Sequence, residues 1–201
     1  MENEQIGRKG VRVYIAGPEV FLYNAIEMGA KKKALCGKHG LYGVYPFDVE
    51  VVQDNSGITR FEMGVKIGGA NEGLIDMCDF VVANMTPFRG PSADVGTANE
   101  IGFAKGLGKV IFAYSNTSEI FLKRSMDFIG EVNCANGRVY DANGMAIEEW
   151  DMHDNLMLES AIIRSGGELV LHNAKEKEMF TDLAGFEICL EKIKIYLDKI
   201  K

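Results

Sequence analysis

The chain has 201 residues and a hydrophobic fraction of 47%, which suits one α/β domain with a sizeable core. Its net charge of −7 argues against a nucleic-acid polymer or an anionic membrane as the main partner, and fits a small substrate of little charge. The cysteines (Cys36, Cys78, Cys134, Cys189) lie far apart without a CxxC pair, the opening "MENEQIGRKG" is polar, and no apolar run approaches the roughly 20 residues of a membrane span, so a cytoplasmic protein with reduced thiols is expected, without signal peptide or zinc framework.

"VRVYIAG" (11–17) reads as a buried first strand that ends at a Gly-Pro break. A helix is expected from near Phe21 to His39, with Gly40 as its stop. "LYGVYPFD" reads as a second strand, followed by a loop, "VEVVQDNSGITRF", that is polar at its centre and placed to cover a site. "FEMGVKIGGANEGLIDMC" has a helical period, with Phe61, Val65, Ala70, Leu74 and Ile75 on one side. "DFVVANM" is an apolar and central third strand, and the turn-rich "TPFRGPSADVG" leads into a helix that carries Glu100. "KVIFAYS" is the fourth strand.

The rest is less regular. "GRVYDANGMAIEEW" predicts a hairpin turning near Ala-Asn-Gly, and "HDNLMLESAIIRSG" a helix that starts near Asp154 or Asn155 and ends at Gly166. "GELVLHN" is a fifth strand, and an amphipathic helix or helix pair closes the chain. The β-α alternation implies an α/β fold: a single domain over 11–201, after a flexible segment 1–10, with a doubly wound, mostly parallel sheet of about five strands, flavodoxin-like or Rossmann-like.

In such a sheet, ligands bind beyond the carboxyl ends of the strands. The loop after the first strand carries Gly17, Pro18 and Phe21, close to Tyr14. The loop after the third carries Asn84, Thr86, Phe88, Arg89 and Asp94. Neither a GxGxxG nor a GxxxxGK[ST] signature is present, so neither a dinucleotide nor a phosphate-loop nucleotide site is supported. Asp94 before Val-Gly-Thr reads as a helix N-cap or as a ligand group. Glu100 has Gly96, Thr97, Phe103 and Ala104 one turn away, none of them basic, so it has no ion-pair partner in its own helix. Either a distant cation pairs with it, or it faces a ligand. In the second case it is placed as a nucleophile toward a carbon that tolerates positive charge, such as an anomeric carbon. His39, His153 and His172 are scattered, and the ten methionines read as filler, so no metal site is expected.

The segments "YIAGPEVF", "CDFVVANMTPFRGPSADVGTANEIGFAKGLGKVIFAY" and "DNLML" together resemble the nucleoside 2-deoxyribosyltransferase family, over roughly 11–158. The resemblance implies that Glu100 is the nucleophile, that Asp94 holds a sugar hydroxyl and that Tyr14 orients Glu100. It implies that Asn155, with Met157 beside it, serves the site of a neighbouring subunit in a homo-oligomer of at least two chains. Some members carry a proton-handling aspartate near the end of the helix before the third strand; Asn71 stands there in this chain, and Asp79 is the neighbouring carboxylate. Gly17, Phe21, Phe88 and Gly96 complete the expected substrate contacts, with Phe21, Phe88 and Tyr14 open to base-stacking or core roles. Nucleosides and nucleobases are the implied small-molecule partners, in nucleoside salvage, with no cofactor. Two other readings stay open: an N-glycosidase acting on 2′-deoxynucleosides or their 5′-monophosphates, for which Arg89 and Ser92 could hold a phosphate, and a nucleoside-binding protein without chemistry.

Overall fold

The computed structural model describes residues 10–49 and 57–200. Strand β1 (Arg12–Ala16) is buried over its last four positions, as befits a strand paired on both edges and covered on both faces. Gly17 and Pro18 then break the extended chain into a single 3-10 turn, Pro18–Phe21. Leu22 returns to extended backbone, so the expected helix does not run from Phe21; helix α1 (Ala25–Lys38) starts after Asn24. Strand β2 (Tyr42–Val44) and a tight turn at Pro46–Asp48 follow. Of the loop expected to cover a site, residues 50–56 lie outside the described residues, as do residues 1–9 of the expected flexible segment.

Helix α2 (Arg60–Asp76) opens with a capping box: Thr59 Oγ1 accepts from the Glu62 amide at 3.2 Å, and the Glu62 carboxylate accepts from the Thr59 amide at 2.7 Å. Gly64, Gly68, Gly69 and Gly73 lie within it, and its first ten residues are largely exposed. Strand β3 (Phe80–Asn84), helix α3 (Val95–Gly106) and strand β4 (Val110–Ser115) complete the regular part.

The second half departs from expectation in two places. A helix not foreseen in the sequence, α4 (Phe121–Ile129), follows the polar stretch after β4. The predicted hairpin is reduced to a single bridge, Tyr140 to Ala146, around the Ala142-Asn143-Gly144 turn. The ladder forms instead between β5 (Val132–Ala135) and β6 (Arg138–Asp141). Asn136 and Gly137 connect these strands with φ of 52° and 75°, the left-handed pair that matches strand twist in a two-residue turn. Helix α5 (Leu156–Arg164), strand β7 (Leu169–Leu171) and helix α6 (Ala184–Lys199) close the chain.

The five-stranded sheet has the order β2-β1-β3-β4-β7, parallel throughout. Alternation along the strands builds two cores. Tyr14, Ala16, Val81, Ala83, Ile111 and Ala113 face Leu74 and Ile75 of α2, Ile101 and Ala104 of α3, and Ile162 of α5. Val13, Ile15, Val82, Phe112 and Tyr114 face Cys36 of α1 and Phe186, Cys189, Leu190 and Ile193 of α6. This is the doubly wound single domain that the sequence implies. The order reverses between β1 and β3, which opens a crevice at their carboxyl ends. No helix among the described residues is long and apolar enough to cross a membrane.

Candidate active site

A cavity of about 280 Å³ occupies that crevice. Gly17, Val20 and Phe21 line it after β1, Pro46 and Phe47 after β2, Ile67 and Asn71 from α2, and Asp94, Gly96, Thr97 and Glu100 from the start of α3. Of the residues singled out in the sequence, Gly17, Phe21, Asn71, Asp94, Gly96 and Glu100 thus meet on one surface.

Glu100 is reached from below. Tyr14 points from the α3 side of β1, fully buried, and its hydroxyl donates to Glu100 Oε1 at 2.6 Å. Burial pushes the Glu100 carboxyl up to about 7; the Tyr14 hydrogen bond opposes this, and the Asp94 charge adds to it. Burial first, then the neighbouring Glu100, drives the Tyr14 phenol far above its ordinary range, so it remains a proton donor in the hydrogen bond. Among the described residues no cation pairs with Glu100, and its second oxygen has no hydrogen-bond partner.

Asp94 is the N-cap of α3. Its Oδ2 accepts from the Thr97 amide at 2.9 Å and from Thr97 Oγ1 at 3.3 Å. A Cβ on Gly96 would stand 2.9 Å from that same oxygen, so glycine lets the carboxylate sit against the helix start. Asp94 thus caps the helix and also lines the cavity.

Phe21 forms one wall and stacks on Phe88 at 5.3 Å with an 11° tilt. Phe88 supports the wall from outside the cavity lining, with Phe180 edge-on at 5.9 Å. The Arg89 guanidinium lies over both rings, 5.2 Å from Phe21 and 4.6 Å from Phe88.

A polar network behind Gly17 escaped the sequence reading. Glu19 and Lys32 are both buried and ion-paired, and Glu19 Oε1 also accepts from Asn84 Nδ2 and from the Tyr114 hydroxyl, each at 2.8 Å. The Lys32 ammonium rests over the Tyr114 and Phe186 rings at 5.5 and 5.1 Å. A Cβ at Gly17 would fall 2.1 Å from Glu19 Oε2 and 2.9 Å from Asn84 Cβ, so only glycine fits there. The nearest signal in the sequence was the acidic residue placed directly after the Gly-Pro break.

Three further expected residues neither line the cavity nor support its wall or floor. Asp79 is corrected to a structural role: it precedes β3, at the opposite end of the strands, and accepts from the Arg12 amide at 2.8 Å. Asn155 caps α5, accepting from the Met157 amide at 3.0 Å, while its Nδ2 donates to Glu148 Oε1 at 2.5 Å. Met157 is exposed on the first turn of α5. The residue before them, Asp154, reads in the sequence only as a possible helix start. It is fully buried and bonds to Ser92 and Ala93, just ahead of Asp94.

The family model described as nucleoside 2-deoxyribosyltransferase matches residues 13–157, and the chain belongs to that family. An uncharacterized protein of Schizosaccharomyces pombe is 30% identical over 167 residues, covering 77% of this chain and 78% of that one. Among solved structures, a 2-desoxiribosyltransferase from Leishmania mexicana is similar at 28% identity with a TM-score of 0.55, over 74% of this chain and 85% of the other. A conserved protein from Enterococcus faecalis shares the fold at 17% identity and a TM-score of 0.52, over 91% and 98% of the two chains. The family match and the Leishmania mexicana structure point to a nucleoside deoxyribosyltransferase-type enzyme.

Proposed function

We propose that the protein transfers the 2-deoxyribosyl group of a 2′-deoxynucleoside from one nucleobase to another, through a sugar ester on Glu100. The observation that carries this reading is the Tyr14–Glu100 pair at the floor of the cavity, with Asp94 beside it. Glu100, as carboxylate, forms a bond to the anomeric carbon through the oxygen that Tyr14 leaves free. The bond from that carbon to the base nitrogen breaks, its electron pair goes to the base, and the base takes up a proton. A second base then loses a proton and attacks the same carbon, which frees the carboxylate. Two inversions give net retention. Asp94 holds a sugar hydroxyl, and Phe21, backed by Phe88, offers a stacking face to the base. The Asn71 amide reads the base edge as donor and acceptor, without delivering a proton as an acid. Absence of a 2′-hydroxyl eases the cation-like transition state, and the chemistry requires no cofactor.

Free nucleosides are favoured over 5′-monophosphates. None of the described lining residues carries a positive charge, and two are carboxylates. Ser92 donates its proton to Asp154, and Arg89 lies on the Phe21–Phe88 stack, so neither stands as a ready phosphate donor. The site is completed by Asn155 and Met157 of a neighbouring copy in a homo-oligomer. In their own chain these residues lie outside the cavity, and exposed apolar side chains at Phe61, Val65, Val95 and Met157 suit a contact between copies. A cytoplasmic setting fits the free thiols of Cys36, Cys78, Cys134 and Cys189.

The test is incubation with deoxyinosine or thymidine and a second base. Formation of the exchanged nucleoside is expected. Free deoxyribose without exchange identifies a hydrolase; intact nucleoside bound without turnover identifies a binding protein.

A further inference from the structure

Two helix starts meet around the buried carboxylate of Asp154. Asp154 Oδ1 accepts from the Ser92 hydroxyl and from the Asn155 amide at 2.7 Å, and Oδ2 accepts from the Ala93 amide at 2.9 Å. Ser92 and Ala93 are the last residues before Asp94, the cap of α3; Asn155 is the cap of α5. One carboxylate therefore grips the chain directly ahead of both caps. Burial raises its pKa, against the hydrogen bonds from Ser92, Asn155 and Ala93 and the charge of Arg124. Arg124 of α4, itself buried, stands 3.8 Å from Asp154 Oδ2. Its Nε donates to Pro91 O at 2.9 Å, Nη2 to His153 O at 2.5 Å, and Nη1 to Glu119 O. The arginine thus holds the same two segments a second time, one residue further out on each. Behind this junction α3 and α5 pack through Phe103, Leu158, Ala161 and Ile162.

We propose that Asp154 and Arg124 are positioning residues that lock the Asp94 loop and the Asn155 cap into one unit, so that the sugar-holding Asp94 and the Asn155–Met157 corner move together. A loose core salt bridge would not need backbone hydrogen bonds to both segments, here the Ala93 and Asn155 amides and the Pro91 and His153 carbonyls. A buried carboxylate with one missing donor leaves the others misdirected, since each donor is aimed at it. The kinetic part of the proposal rests on the deoxyribosyl-transfer reading; the coupling part does not.

The coupling is read by hydrogen exchange on the intact protein. Ser92→Ala removes one hydroxyl on the α3 side and leaves the buried charges in place. Faster exchange is expected at amides 92–97 and also at 155–158, which carry no substitution. A change confined to 92–97 overturns the coupling. In the exchange reaction, the same variant should lose about tenfold or more in kcat with KM within about threefold, because misplacement by a fraction of an ångström falls on the transition state. Asp154→Asn should lose more in the same direction; where it does not fold, Ser92→Ala decides. Unchanged kcat in folded Ser92→Ala reduces Asp154 to a core ion pair. If the wild type performs no base exchange, the functional reading has failed, and the hydrogen-exchange result still stands for or against the lock.

Discussion

The hydroxyl of Tyr14 on β1 donates to the Glu100 carboxylate on α3 at 2.6 Å, across 86 residues of sequence. The bond favours the charged form of Glu100 and works against the burial that raises its pKa to about 7. Removing it in Tyr14→Phe should push the Glu100 pKa higher still. The acidic limb of the pH–rate profile should then move to higher pH by about one unit, the scale of a hydrogen bond to a charged group. Rates at pH 6 should fall more than rates at pH 9. A profile that only drops in height, with the limb unmoved, would separate Tyr14 from the ionisation of Glu100.

Glu100→Gln should abolish transfer while stabilising the fold at high pH. The folded-state pKa of Glu100 is raised from 4.5 to about 7, so the folded chain holds this proton more tightly than the unfolded one. That contribution is fully present below pH 4.5 and is lost as pH rises through 7. The glutamine remains neutral throughout. Thermal melts of both proteins should therefore nearly coincide at pH 4 and separate at pH 8, with the variant higher. Equal separation at both pH values would show that the carboxyl is not costly in its charged form.

A sugar adduct on Glu100 is expected when a deoxynucleoside reacts without an acceptor base. Mass spectrometry after acid quench should find the added mass on the peptide that contains residue 100. Initial-rate lines should run parallel, as in a two-step exchange. Intersecting lines with no adduct under any quench favour direct displacement.

Gly17→Ala probes the wall behind the cavity. Its Cβ would collide with Glu19 Oε2 at 2.1 Å and Asn84 Cβ at 2.9 Å, groups held by the Lys32 network. A loss of about 1–3 kcal/mol is expected from overpacking of this kind, with a fall in activity as Phe21 shifts. Denaturant unfolding checks the first part and nucleoside KM the second. Wild-type values in both would mean that the Glu19 side chain yields freely.

Shared sites are tested by complementation. Inactive Glu100→Ala chains and inactive Asn155→Ala chains are mixed and allowed to exchange subunits. Interfaces that pair an intact Glu100 with an intact Asn155 of the other chain should regain part of the activity. No recovery, despite proven exchange, confines Asn155 to capping α5.

Much of the fold was legible because the strands carry continuous apolar runs and the Gly-Pro and Asp-Val-Gly-Thr breaks punctuate them. Glu100 stood out for a local reason: its helical neighbours are small or apolar, which sequence shows directly. Lys32 did not, since it lies between Lys31 and Lys33, and only the packing of Phe186 and Tyr114 decides which of the three is buried. Asp79 and Asp94 both precede regular elements, yet one stands at the amino end of a strand and the other at the mouth of the crevice. Helix α4 carries no start signal, because its N-cap Ile120 offers no side-chain cap and follows a run of polar residues that reads as loop. The sequence offers two Asn-Gly pairs close together, at 136–137 and 143–144, and nothing local decides which one closes the ladder.

The glycines of α2 have a consequence for redesign. Gly64, Gly68, Gly69 and Gly73 each lower intrinsic helicity by about 1 kcal/mol relative to alanine, roughly 4 kcal/mol together. Among the described residues, no atom outside the helix lies within 4 Å of the Cβ that any of them would gain. Within one chain they make no close contact among the described residues, so alanine meets no collision there. The helix that presents Ile67 and Asn71 is thereby a softer wall than the sheet and α3 opposite it. Progressive glycine-to-alanine exchange should stiffen this one wall in graded steps; on the base-exchange reading, that offers a dial for narrowing the range of bases accepted while the floor of the cavity is left untouched.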